Sequence, residues 1–191
     1  MQPSIIVKLA IVCLLSLGGF SISSLSFLMT KNARQDQQLK IITDISRYQE
    51  IRHYKWANKT QISHFPAHLL HTTKPIMAYS PGGRQNSRFL QIRLQQSPEQ
   101  IKQLLHHYQK IAKHQYQGGD TNDHLQQPHG VATTFFHTSQ SYTEAFPSTY
   151  QIFVLKAQPQ GRPGFKWYRG SSYGVAINSI SAEIVYWAEE W

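Results

Sequence analysis

A chain of 191 residues, 40% hydrophobic and 12% aromatic, holds enough apolar mass for one membrane span and one folded domain, which excludes a wholly disordered protein. The formal net charge is +9, yet only 15% of residues are charged, so Gln, Ser, Thr, Asn and ten histidines supply much of the polarity. Cys13 is the single cysteine, which excludes an intrachain disulfide and any cysteine-based zinc or thiolate chemistry in the remainder of the chain.

The charge is uneven. Residues 37–113 carry twelve Lys/Arg against three acids, whereas residues 114–191 carry four against six. Basic charge beside a membrane span is attracted to an anionic bilayer surface at about 1 kcal/mol per Lys or Arg. The chain has no zinc-finger, RRM or P-loop pattern and no compact Lys/Arg run, so nucleic acid is not the expected polyanion.

Residues 9–29 form a 21-residue stretch without a charge. As a helix rising about 1.5 Å per residue it would span roughly 31 Å, the hydrocarbon thickness of a bilayer. The expectation is a single-pass anchor that partners the bilayer. A cleaved secretory signal is the competing reading, with Lys8 before the apolar run and Ser21-Ile22-Ser23 as the cleavage site. Orientation stays open: Lys31, Arg34 and Lys40 favour a cytoplasmic domain, while a short leading tail favours export of the domain C-terminal to the span.

The domain reading is an anchor over 1–30, a helical juxtamembrane segment over 31–60 and an α+β globular domain over 61–191. Spacing of Leu39, Ile42, Ile45, Tyr48 and Ile51 predicts a helix within 31–56. Pro66 and Pro75 punctuate an irregular stretch. Residues 76–79 read as a strand and Ser80-Pro81-Gly82-Gly83 as a turn. Residues 88–95 then alternate, placing Leu90, Ile92 and Leu94 on the core side and Phe89, Gln91, Arg93 and Gln95 opposite.

Ser97-Pro98-Glu99-Gln100 opens a helix, with Ser97 as N-cap, Pro98 at the first helical position and Gln100 closing a capping box. Ile101, Leu104, Leu105, Tyr108, Ile111 and Ala112 make one apolar stripe, and Gly118-Gly119 is expected to end the helix. Strands are expected over 131–138, 150–157, 172–177 and 183–188, the last two pairing across Asn178-Ser179-Ile180-Ser181. The fold class is therefore α+β: an N-terminal transmembrane helix, then a small antiparallel sheet with one main amphipathic helix packed on it.

The phrases Ser63-His64-Phe65-Pro66, Tyr79-Ser80-Pro81-Gly82-Gly83, Phe89-Leu90-Gln91-Ile92-Arg93, Ser172-Tyr173-Gly174-Val175-Ala176-Ile177 and Glu183-Ile184-Val185-Tyr186-Trp187-Ala188-Glu189 resemble a group of uncharacterised bacterial membrane-anchored or exported proteins. That resemblance implies an envelope location and a small α+β domain, and brings no activity with it.

Chemistry-bearing signals are weak. Gly170-Ser171-Ser172-Tyr173-Gly174 fits a nucleophile-elbow pattern, but a strand is expected to follow it and no histidine occurs after His137, so catalysis by Ser172 is not expected. His64, His68 and His71 lack the convergent spacing of a zinc site. Asp120, Asn122, Asp123 and His124 concentrate oxygen and imidazole groups in a glycine-rich loop, and with Arg84 they are the candidate binding residues. Phe165, Trp167, Tyr168, Tyr173, Tyr186, Trp187 and Trp191 suggest a sugar or peptide platform, but strand alternation sends roughly half of them inward, so core packing is the default expectation; Glu189, Glu190 and the terminal carboxylate are expected to make that end acidic. No catalytic residue, metal or cofactor is assigned. The functional expectation is a non-enzymatic, membrane-tethered interaction or structural domain with an unknown protein partner. The alternatives are an envelope hydrolase or metal-dependent enzyme using the loop Asp and His residues, and anionic-lipid binding by the basic half.

Overall fold

The structure is a computed structural model; it describes residues 41–83, 87–119, 124, 129–139 and 145–191. The expected anchor, Arg84, Asp120, Asn122 and Asp123 lie outside the described residues, within which no helix is long and apolar enough to cross a membrane.

From Lys40 onward the chain forms one compact unit. Six antiparallel strands make one sheet: β1 (Ile76–Ser80), β2 (Arg88–Gln95), β3 (His114–Gln117), β4 (Gln151–Pro159), β5 (Gly170–Asn178) and β6 (Glu183–Glu190). Their order across the sheet is β1-β2-β6-β5-β4-β3. The α+β class is as the sequence reads, and the β5–β6 hairpin pairs Asn178 with Glu183. Its turn is held by the Asn178 side chain, whose Oδ1 accepts from the Ile180 and Ser181 amides.

Helix α1 (Pro98–Ile111) begins with the expected capping box: Ser97 Oγ accepts from the Gln100 amide, and Gln100 Oε1 from the Ser97 amide, both at 3.2 Å. Ile101 and Tyr108 are buried on the sheet, each contributing roughly 1.5–3 kcal/mol by leaving water. The stripe is narrower than its spacing predicts, because Ile111 at the helix end is exposed. The helix stops at Ile111, well before Gly118, and His114–Gln117 become the edge strand β3. A four-residue, polar edge strand has almost no sequence signature.

Residues 41–56 also depart from a continuous helix. Ile42 is extended and exchanges backbone hydrogen bonds with Tyr79 at 2.7 and 2.9 Å. Asp44 then caps a 3₁₀ turn (Ile45–Arg47), followed by an α turn (Tyr48–Glu50) and a π turn (Ile51–Lys55). The Lys59 ammonium donates to the Arg52, His53 and Trp56 carbonyls and so closes the end of this helical run.

Strand parity divides the core in two. Met77, Tyr79, Leu90, Ile92, Leu94, Phe153, Val175, Ile177, Ile184 and Tyr186 pack on one face with α1 and the Tyr48–Trp56 stretch. The other face is also covered, by residues 131–139 and 145–150. The strand expected over 131–138 does not form: these residues cross the sheet as an irregular strap. Gln91 holds it as a backbone partner would, donating to the Phe135 carbonyl and accepting from the Thr138 amide and hydroxyl. A side chain completing the strap's hydrogen bonds removes the need for a strand ladder.

Gly174 shows why β4 and β5 fit as they do. An added Cβ would lie 2.0 Å from the Phe153 carbonyl oxygen, and the pairing slips by one residue between Val154 and Lys156, a β-bulge opposite this glycine.

Candidate functional site

The densest group of chemistry-bearing side chains lies between the strap and the sheet. In the register of β2, β6 and β5, Phe89 faces Glu189 and Glu189 faces Ser172, all on the strap side. Trp187 precedes Glu189 by two residues along β6. From above, His137 stacks on Phe89 with ring centroids 3.6 Å apart and planes within 2°. Thr134 hydrogen-bonds the Glu189 carboxylate.

Apart from the half-buried His137, these groups are shielded from solvent. Glu189 is 5% exposed, and burial raises its carboxyl to about 7 against the Thr134 hydrogen bond, which lowers it. Burial lowers His137 to about 4, so its ring is neutral. Ser172 Oγ, Trp187 Nε1, Glu189 Oε2 and His137 Nε2 have no hydrogen-bond partner among the described residues. A nucleophilic serine needs a base bonded to its hydroxyl, and Ser172 Oγ is bonded to neither His137 nor Glu189. The elbow pattern resolves accordingly: Gly170 to Gly174 lie wholly within strand β5. The two acidic side chains of the C-terminal end are both accounted for within the fold. Glu189 is buried beneath the strap, and Glu190 pairs with Arg88 at 3.8 Å.

On the opposite face, His64 Nε2 donates to the Gly174 carbonyl at 2.9 Å, and its ring packs beside Phe65, Tyr173 and Tyr186. Burial lowers it to about 4, against the backbone carbonyls of Gly174 and Trp187. His68 and His71 are exposed, so the three histidines diverge, and no metal-sized cluster of His, Cys, Asp or Glu occurs among the described residues. Of the candidate binding residues only His124 is described. It is buried and stacked on Tyr116 at 4.0 Å, and it lines one small cavity with Thr133 and Phe146.

The second concentration of functional groups is at the surface. The β4–β5 connection, residues 160–169, carries Arg162, Lys166 and Arg169 with Phe165, Trp167 and Tyr168, and contains no acid. Phe165 and Tyr168 are each 72% exposed. Backbone bonds Gln160 N to Arg169 O, Gly161 N to Lys166 O, Phe165 N to Arg162 O and Tyr168 N to Phe165 O order the loop, and Gly164 takes the positive φ its tip requires. Trp167 stacks on Trp191, whose indole N–H donates to the Trp167 carbonyl at 2.9 Å. The reading of the C-terminal aromatics as core holds for Tyr186 and Trp187 and fails for Phe165 and Tyr168. Pro163 and Gly164 between two strands were the signal for a projecting loop.

Fold and site together define an α+β domain whose antiparallel sheet is covered on both faces and whose polar interior is closed to solvent. Compared with known proteins, the chain matches no family model, no curated protein and no solved structure.

Proposed function

We propose that this chain is a non-enzymatic, single-pass membrane-tethered interaction domain. One observation carries the reading: the buried Glu189 and Ser172 and the nearby His137 form no bonded nucleophile–base pair, while the described surface presents cations and aromatic rings. Glu189 and Ser172 lie under the strap with His137 of the strap stacked on Phe89 beside them, His64 bonds a sheet carbonyl, and Tyr150 donates to Glu183 at 2.7 Å. Of the described acids, Glu50 is paired with Arg47 and Lys55, and Glu190 with Arg88, which leaves Lys74, Lys102, Lys110 and Lys113 outside every ion pair among the described residues. The uncharged stretch over residues 9–29 supplies the tether.

Alkaline extraction of membranes followed by N-terminal sequencing tests the tether. The expected result is full-length protein in the pellet. Recovery in the supernatant, or a mature chain beginning near residue 24, overturns it. Crosslinking in intact membranes followed by detergent extraction tests the interaction role, with a reproducible protein adduct as the expected outcome. Turnover of a hydrolase substrate abolished by S172A would overturn the non-enzymatic reading.

A further inference from the structure

We propose that the β4–β5 hairpin loop is a membrane-contact element that seats Phe165, Trp167 and Tyr168 at the headgroup level of an anionic bilayer. This inference rests on the tethered reading above and adds where the domain touches lipid.

The first argument is chemical. Water contact costs free energy for exposed aromatic rings, yet Phe165 and Tyr168 stand out from a loop that its own hydrogen bonds hold in place. Amphipathic aromatic rings flanked by Lys and Arg are the residues that prefer the membrane–water interface. Arg162, Lys166 and Arg169 interleave with the rings, and Lys166 lies over the Trp167 ring at 5.9 Å. Of the acidic side chains in the strands that reach this end, Glu190 is paired with Arg88 and Glu189 is buried, and none forms an ion pair with the loop's three cations among the described residues. Anionic headgroups complement these cations.

The second argument is topological. The loop lies where β5 begins, and the register places Gly170 beside Trp191 and Arg88 beside Glu190 at that same end of the sheet. β1 runs toward that end, finishing at Ser80 opposite Phe89. Ile42 pairs antiparallel with Tyr79 beside that end. Tyr54, 84% exposed, adjoins Lys55, whose carbonyl accepts from Arg88, and so adds an exposed ring near that end.

Full-length protein reconstituted into phosphatidylcholine vesicles, with and without phosphatidylglycerol, tests this through quenching of tryptophan fluorescence by brominated acyl chains. Trp56 and Trp187 are fully buried, so quenching reports Trp167 and Trp191. The expected result is quenching that strengthens with phosphatidylglycerol and is lost in the F165S/Y168S variant, both positions being exposed enough to leave the fold intact, as checked by circular dichroism. Quenching absent in the wild type, or equal in the variant, overturns the proposal. So does unchanged quenching accompanied by loss of binding to a single-stranded oligonucleotide, which would assign the loop to nucleic acid. Failure of the tether reads differently: the protein then leaves pure phosphatidylcholine vesicles on flotation, while loop-dependent flotation with phosphatidylglycerol vesicles still supports the lipid contact.

Discussion

Glu189 stands between Phe89 and Ser172 on the strap side of the sheet, and burial there favours its protonated form. Its carboxyl is raised from 4.5 to about 7, so its contribution to stability is fully present below about pH 4.5 and is lost as pH rises to about 7. His64 and His137 act in the opposite sense. Both are lowered from 6.5 to about 4, so their contribution is present above about pH 6.5 and is lost as pH falls toward 4. Glu189→Gln removes the acid's titration while keeping its shape. It should stabilise the protein by roughly 1–3 kcal/mol at about pH 8 and by almost nothing below pH 4.5. Urea unfolding at the two pH values checks this, and equal stability of variant and wild type at the higher pH would refute the buried-acid account. Parity alone already aligned Glu189 with Val185 and Trp187; its isolation from water depends on a strap that sequence pattern does not reveal.

Among the elements, the strap and α1 are secured in different ways. Gln91→Ala deletes the side chain that bonds Phe135 O, Thr138 N and Thr138 Oγ1, and should cost roughly 2–4 kcal/mol, as buried partners are left unsatisfied. Hydrogen exchange at the 131–139 amides should accelerate far more than at the α1 amides; uniform acceleration would mean the strap and the sheet open as one unit. Ser97→Ala, by contrast, removes one exposed N-cap bond and should cost about 1 kcal/mol in thermal unfolding, with no effect on strap exchange. The capping box was legible because it is local. The 3₁₀, α and π turns after Asp44 were not, since the apolar spacing of Ile45, Tyr48 and Ile51 suits any of the three helical pitches over so short a run. The strap's run of Val131, Thr133, Thr134 and Phe136 has strand composition, but it lies over the sheet's face, where no free edge is offered for pairing.

For the molecule as a whole, a net charge of +9 is offset by few ion pairs: among the described residues they are Arg47–Glu50, Lys55–Glu50 and Arg88–Glu190. Mutual repulsion of the remaining cations destabilises the compact state, and salt screens it over a Debye length of about 8–10 Å. The midpoint of thermal unfolding in detergent should therefore rise as salt increases toward the physiological range; a fall would mean that the surface pairs outweigh the repulsion. The same screening should weaken the loop's preference for phosphatidylglycerol.

The sequence by itself determined the elements whose cause is local: the uncharged run of residues 9–29, the alternation of β2, the capped helix α1, the β5–β6 hairpin and the basic bias of residues 37–113. Each follows from periodicity, turn chemistry or a charge count within a few neighbouring residues. Only the tertiary structure decided that the second face of the sheet is covered, that Glu189 is buried there while His137 stacks on Phe89, and that His124 packs on Tyr116. It also set the aromatic loop at the end of the sheet where Arg88 faces Glu190. The reason is physical: burial and charge environment depend on which distant segment covers a residue, and Gln91 grips Phe135 and Thr138 across more than forty positions of chain.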